Sequence, residues 1–365
     1  MNRRQLLTGL GGAAAIWPLR AVALQPAPAL GAARRDRLQL GDEEILEPEM
    51  PIVDPHHHLG AKYLLDDLLR DTGSGHNIIA TVFVQAGAMY REKGPVEMRS
   101  VGETEFVNGI AAMSASGRYG KTRACAGIVG RADMMLGSAV EPVLAAHIRA
   151  GGDRFRGIRQ ITAWDASIPA TAGYGSLPHL MAEPAFRDGV ATLGKLGLTF
   201  DAWIYHPQID ELAQLARACP GTRIVLNHIG TPVGIGAYAG KREEVFRKWA
   251  ASIKALATQP NVFIKVGGFG MSTCNLGFID AVTPPSSDVV AATARPYVET
   301  CIEAFGTPRC MFESNFPNDK PAFSYAVFWN ACKRLAKGAT DTEKTDLFAR
   351  TAAQFYRLDA SRARQ

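Results

Sequence analysis

The sequence predicts a single α/β domain folded as a (β/α)8 TIM barrel, and three observations predict it. From Pro51 onward, short apolar β-rich runs alternate with longer helix-like stretches, the pattern of a parallel sheet. The strand-like runs number eight, over about 300 residues, which suits a closed barrel. The connections are also asymmetric. Turns that enter strands are short and rich in breakers, such as Gly151-Gly152-Asp153 and Cys219-Pro220-Gly221-Thr222. Segments that leave strands are long, such as Ala86–Ser100, Thr162–Leu180, Ile229–Gly240 and Gly267–Ser287. In barrels the strand-to-helix loops build the active-site face, so chemistry is expected at the strand C-termini. A doubly wound open sheet is the competing arrangement.

The strands are expected at Ile52–Pro55, Ile78–Gln85, Ala124–Val129, Gly157–Ile161, Leu198–Tyr205, Arg223–His228, Val262–Val266 and Cys310–Glu313. Helical patterns fall at Val140–Arg149, Pro184–Leu193, Ile209–Ala218, Arg242–Ala257, Asp288–Ala304 and Tyr325–Lys337. The barrel is expected to span residues 51–358, with a polar lead-in at 24–50 and a tail at 359–365.

The chain has 365 residues, 47% of them hydrophobic and 21% charged, with mean hydropathy −0.03. That composition excludes a disordered, collagenous or disulfide-stapled chain. Residues 1–23 have the order of a signal peptide: Arg3-Arg4, a weakly apolar stretch from Gly9 to Trp17, then Ala21-Val22-Ala23 as a cleavage signal. The paired arginines resemble the twin-arginine type, so a periplasmic or secreted location is expected. The apolar run is too short for a membrane span, which needs about 20 residues. Without Arg3, Arg4 and Arg20 the formal charge falls from +5 to +2. That is too neutral to suggest a nucleic-acid or membrane-surface partner. The sequence leaves a homo-oligomer open.

The six cysteines show no CxxC spacing, so no zinc ribbon or redox motif is present. Cys125 and Cys310 read as small buried hydrophobes. A disulfide among the others is open in an oxidising compartment.

The strongest signal is Ile52-Val53-Asp54-Pro55-His56-His57-His58, an apolar strand ending in histidines. Side chains alternate along a strand, so His56 and His58 share a face and His57 points away. Two such imidazoles can chelate a divalent cation. His206 and His228 also close predicted strands, and Pro207 is expected to keep His206 extended. His76, His147 and His179 read as surface residues.

With Phe312-Glu313-Ser314-Asn315-Phe316-Pro317 after the last strand, this ordered set resembles the amidohydrolase superfamily, in its amidohydrolase-related branch. That branch includes lactone hydrolases and non-oxidative decarboxylases. The resemblance implies metal binding by His56, His58 and His206, with zinc the expected ion. It implies that His228 lies beside the metal and polarises or protonates the substrate. The family places an aspartate where this chain has Asn315, and an amide is a poor proton acceptor. Glu313 and Asp319 are the carboxylates that could replace it. Some related lactonases work without metal, which leaves metal dependence open.

Arg159 approaches the end of the fourth strand, where a guanidinium could bind a substrate carboxylate bidentately. Gln85 ends the second strand and could hydrogen-bond a carbonyl. Tyr90 and Trp164 lie in long strand-end loops and could wall a pocket. Lys265 interrupts an apolar strand, as a substrate contact or an internal ion pair. Gly267-Gly268-Phe269-Gly270 opens a long loop whose glycines would permit lid motion. The expected function is metal-dependent opening of a lactone or cyclic ester of an organic acid. A decarboxylase and a non-catalytic ligand-binding barrel are the alternatives.

Overall fold

The computed structural model describes residues 43–169 and 177–358. The expected signal peptide, the lead-in up to residue 42 and the tail at 359–365 lie outside the described residues. Among the described residues no helix is long and apolar enough to cross a membrane.

Eight parallel strands pair in chain order: β1 (Ile52–His57), β2 (Ile78–Val84), β3 (Arg123–Gly130), β4 (Phe155–Ile161), β5 (Thr199–Trp203), β6 (Ile224–Leu226), β7 (Val262–Gly267) and β8 (Cys310–Glu313). The ring is joined at its seam just past the strand ends, where His58 N donates to Phe316 O at 2.8 Å and Asn315 N donates to His56 O at 3.0 Å. All eight expected strands are present. The fifth ends two residues early, at Trp203, and the sixth is confined to Ile224–Leu226.

The main helices are α1 (Leu65–Thr72), α2 (Val101–Ala115), α3 (Glu141–Gly151), α4 (Pro184–Lys195), α5 (Ile209–Ala218), α6 (Arg242–Leu256), α7 (Ser287–Phe305) and α8 (Tyr325–Leu335). α5 illustrates why they form. Ile209, Leu212, Ala213 and Ala216 recur on one buried face, Asp210 and Glu211 complement the helix dipole at its start, and Arg217 does so at its end. Ser286 and Ser324 cap α7 and α8 by accepting the N–H of Val289 and Val327.

Two short helices, α9 (Asp341–Thr345) and α10 (Thr351–Phe355), end the described chain. Phe355 and Tyr356 pack on Val53, Val82, Val129, Val225 and Met311 in a second core cluster, separate from the larger one beneath the helices. The described end of the lead-in is tied to the barrel. Glu43 accepts from Ser287 N at 2.6 Å, and Lys333 donates to the carbonyls of Leu46 and Glu47.

The structure answers the open question about the cysteines and corrects the reading of two histidines. All six cysteines are buried and unbridged. His147 and His76 are buried rather than exposed, because distant polar groups satisfy them. Thr104 Oγ1 lies 2.8 Å from His147 Nδ1, and Lys333 Nζ lies 2.8 Å from His76 Nδ1. His179 is exposed, beside Glu211.

Candidate active site

Four barrel strands send charged side chains toward one another at the level of the β1 terminus: Arg159 from β4, Asp201 from β5, Lys265 from β7 and Glu313 from β8. All four are buried. An unpaired charge there would be costly, so each has partners. Lys265 Nζ donates to Asp201 Oδ2 at 2.8 Å and to Pro55 O at 2.9 Å, and lies 3.3 Å from His56 Nδ1. Tyr356 and Asn227 also donate to Asp201 Oδ2. Of the two sequence readings of Lys265, the internal ion pair is the one observed. Its ammonium is fully enclosed.

Glu313 is the centre of the cluster. Its Oε1 accepts from the His228 backbone N–H at 2.7 Å and lies 2.7 Å from His228 Nδ1. Its Oε2 lies 2.6 Å from His56 Nδ1, but no donor is aligned on it. The rings of His56 and His228 stand 4.5 Å apart. Among the described residues, His56, His228 and Glu313 form the group whose donor atoms all approach within 4.8 Å of one another.

The backbone is shaped for this approach. His228, Ile229 and Thr231 adopt left-handed conformations, with φ between 44° and 55°. Such angles are strained for bulky residues and persist only where surrounding structure imposes them. Gly268, at φ 70°, lies against the His228 ring, and a Cβ there would stand 2.6 Å from His228 Cβ.

His58 and His206 lie outside that group. His58 follows the end of β1. Its Nδ1 donates to Val84 O at 2.7 Å, and its Nε2 is 3.3 Å from Asn315 Oδ1. His206 opens a 3-10 turn, His206–Gln208, instead of extending β5. Its Nδ1 accepts from Val233 N at 3.2 Å, and its ring packs on Tyr238. The three-histidine set expected from sequence is therefore not the set whose donors meet. His57 turns away as expected, onto Thr81 and Cys125.

Arg159 is anchored by Gln85, whose side-chain and backbone oxygens accept from its Nε and Nη2. Its Nη1 lies 3.3 Å from His56 Nε2, and the guanidinium sits 5.7 Å from the Trp203 ring centre. Gln85 thus holds the arginine. Tyr90 and Trp164 are half-buried in the β2 and β4 loops, and Trp164 N donates to Gln208. Asn315 adopts the left-handed conformation, φ 56°, which asparagine tolerates better than most residues. Its Nδ2 donates to Asp319 Oδ1 at 2.8 Å, and Asp319 Oδ2 accepts from Gly270 N at 2.8 Å.

Burial governs the protonation states. It pushes His56 and His58 well below the usual imidazole range, helped by Lys265 at His56 and by Arg159 at His58. Burial lowers His206 to about 4. Burial also raises the Asp319 carboxyl to about 8, with Glu313 adding to the effect while Gly270 and Asn315 oppose it. Asp54 rises to about 6 by burial, although Ser314 and Tyr325 donate to it.

Sequence reasoning missed Glu103 in α2. It accepts the N–H of Ala86 and Ala88 and so fixes the turn just beyond Gln85. Asp201 was also missed. Its signal was a lone acid in an apolar strand, the same signal that singled out Lys265.

Two imidazoles and a carboxylate are a donor set that suits a small divalent cation. The unaligned buried oxygen of Glu313 is the observation in favour of that fit.

Comparison with known proteins agrees with this architecture. An L-fucono-1,5-lactonase from Burkholderia ambifaria is 25% identical over 74% of this chain and 88% of its own. The protein y4mH of Sinorhizobium fredii, of uncharacterised role, is 32% identical over 85% of this chain and 99% of its own. Crystal structures of an amidohydrolase from Burkholderia multivorans, one with bound HEPES and one with bound zinc, superpose with a TM-score of 0.64. They share 23% and 22% identity and cover 84% of this chain and 99% of theirs, a likeness of fold. The amidohydrolase family model matches residues 53–358, almost the whole barrel, and the chain belongs to the amidohydrolase family.

Proposed function

We propose that the protein hydrolyses a lactone or similar cyclic ester of an organic acid. The observation that carries the reading is the meeting of His56, His228 and Glu313 beside the anchored guanidinium of Arg159. The lactonase similarity supports the substrate class.

His56, His228 and Glu313 would hold a divalent cation, and zinc suits the set. Bound there, it would supply Lewis acidity toward a carbonyl or a water molecule. Arg159 provides a fixed positive charge for a substrate carboxylate or a developing oxyanion. Gln85 keeps that charge in place, and Glu103 secures the turn that follows Gln85.

Glu313 would hold the cation in this reading, so the proton acceptor is a different carboxylate. Asp319 takes that role in this reading. Its ionised form accepts the proton of the attacking water and returns it to the alkoxide released when the ester C–O bond breaks. The products are one hydroxy acid and no by-product.

The Asn315 amide belongs to the same relay. With His58 Nδ1 donating to Val84, neutral His58 presents a lone pair on Nε2, and Asn315 Oδ1 faces it acceptor to acceptor. Turning the amide over gives His58 a donor and places Oδ1 against Asp319. The carboxyl of Asp319, raised to about 8, then holds the proton between them.

The test is metal analysis of the purified full chain together with a hydrolysis screen over sugar-acid and aromatic-acid lactones. Asp319→Asn is expected to lower kcat by about 10²–10⁴ with the bound metal unchanged. Wild-type rate should climb with pH through about 8 as the carboxyl ionises. Ligand binding with no turnover on any lactone would overturn the reading, and an Asp319→Asn variant of full activity would remove Asp319 from it.

A further inference from the structure

One cavity among the described residues is not at the strand C-termini. It lies at the opposite end of the barrel, beside the starts of β1 to β4, and encloses about 600 Å3. That is the size of a small-molecule site. Its wall combines Val53, Ala80 and Ala124 at strand starts with Ala111 and Ala115 of α2. Four arginines also line it: Arg123, Arg154, Arg156 and Arg357. Asp153 is the only acid among the lining residues.

None of the four arginines forms an ion pair with a carboxylate among the described residues. Their partners are neutral. Arg123 donates to the carbonyls of Ser114 and Ala115, which end α2. Arg154 donates to Asn108 Oδ1 at 2.7 Å. Arg156 donates to the carbonyls of Phe155 and Arg357, and Arg357 to that of Gly197. Arg156 Nε is buried with no partner among the described residues. Each guanidinium has five N–H donors, so most of this donor capacity is unspent. Burial lowers the proton affinity of Arg156, with repulsion from Arg357 adding to the effect and Asp153 opposing it. An apolar recess that gathers like charges, without the acids that would neutralise them, favours an anion.

We propose that this recess is a second binding site, distinct from the candidate active site, for a small organic anion whose carboxylate or phosphate is gripped by Arg154, Arg156 and Arg357 while its apolar body lies on the alanine-lined wall. Arg123 extends the positive field along the same side. Asp153 sets a limit on affinity by opposing the anion's charge.

The test is calorimetric titration of the full chain with inorganic phosphate, citrate and phthalate, which separate phosphate, polycarboxylate and aromatic carboxylate ligands. Saturable binding is expected for at least one of them, weakening with added salt. Arg156→Gln should weaken it at least about tenfold, since an amide keeps a donor but loses the charged fork. Arg156→Lys should recover part of the loss. Asp153→Asn should strengthen binding a few-fold. Arg159→Gln, at the other end of the barrel, should leave this affinity unchanged. Should Arg156→Gln prove unstable, Arg154→Gln reads the same contact from the exposed side. The proposal is overturned if no anion binds saturably to the full chain, or if binding is lost in Arg159→Gln and kept in both the Arg154 and Arg156 variants.

Discussion

The two ends of this barrel treat charge in opposite ways. At the strand C-termini, Lys265 is enclosed and donates to a carboxylate, and Arg159 is buried and anchored by Gln85. At the strand N-termini, Arg123, Arg154 and Arg156 are half-buried and Arg357 is exposed, and their partners are amide oxygens. Removing an ion from water is penalised heavily, so the enclosed end can carry charge only as a closed network. The wetter end can leave charge unneutralised, because solvent or a bound anion completes it. The candidate active site is a set of groups that depend on one another, whereas the arginine recess is a set of separable contacts.

The sharpest way to break that comparison is Lys265→Met. It removes the ammonium of a fully buried pair and leaves Asp201 with only Tyr356 and Asn227 as donors. Loss of one partner from a buried pair costs about 3–5 kcal/mol. Chemical denaturation should show a fall of that order, with activity lost too, since Lys265 also stands 3.3 Å from His56. The same measurement on Arg154→Met, at the open end, should give a change of about 1 kcal/mol or less. Equal losses at the two ends would show that the contrast in burial does not govern the energetics.

A smaller effect is expected from Gly268→Ala. The residue has φ 70°, and the new Cβ would collide with His228. Strain of this kind amounts to about 1–3 kcal/mol. The larger consequence falls on function, because the histidine must shift relative to Glu313. A turnover loss of at least about tenfold is expected in steady-state kinetics, with the overall fold kept in circular dichroism. Wild-type turnover in this variant would mean that the exact seat of His228 is unimportant.

Much of this was legible in the chain because it rests on local periodicity. The eight strands follow from apolar runs bounded by breakers, and six helices from spacing. His56 and His228 were singled out because each ends an apolar strand, and strand ends in a barrel face one mouth; Glu313 was singled out as a carboxylate two residues from Asn315. What was not legible depends on partners far away in sequence. His206 and His228 both open 3-10 turns just past a strand, yet the ring of His206 goes to Tyr238 and Val233 while that of His228 goes to Glu313. Position along a strand does not say which way a ring turns after the strand stops. Lys265 stood out as a charge in an apolar run, but its pairing with Asp201 spans 64 positions. His76 and His147 looked exposed because the groups that satisfy them, Lys333 and Thr104, lie on other helices. The arginine recess left no mark, since its residues come from separate strand starts and the end of the chain.

The mildest perturbation, pH, should move the enclosed end and spare the open one. Asp319 and Glu103 are raised by burial to about 8 and about 7, above their unfolded values of 3.8 and 4.5. In the folded state they hold protons that the unfolded chain has already lost. Stability from them is complete below about pH 4 and is lost as pH rises through 7 and 8. His147 and His206 are lowered to about 4 by burial, below the unfolded 6.5, so their contribution is present above 6.5 and is lost as pH falls toward 4. The two trends oppose each other in acid, and in alkali Lys333, lowered by burial to about 8, opposes the carboxyls because the folded chain gives up a proton that the unfolded chain keeps. Between pH 7 and 9 Asp319 alone should lower the stability read from denaturation midpoints by about 1 kcal/mol. Asp319→Asn should remove that share of the slope. Arg156→Gln should leave the slope as it is, because arginine does not titrate in this range. A slope unchanged in Asp319→Asn and altered in Arg156→Gln would place the alkaline sensitivity at the wrong end of the barrel for this account.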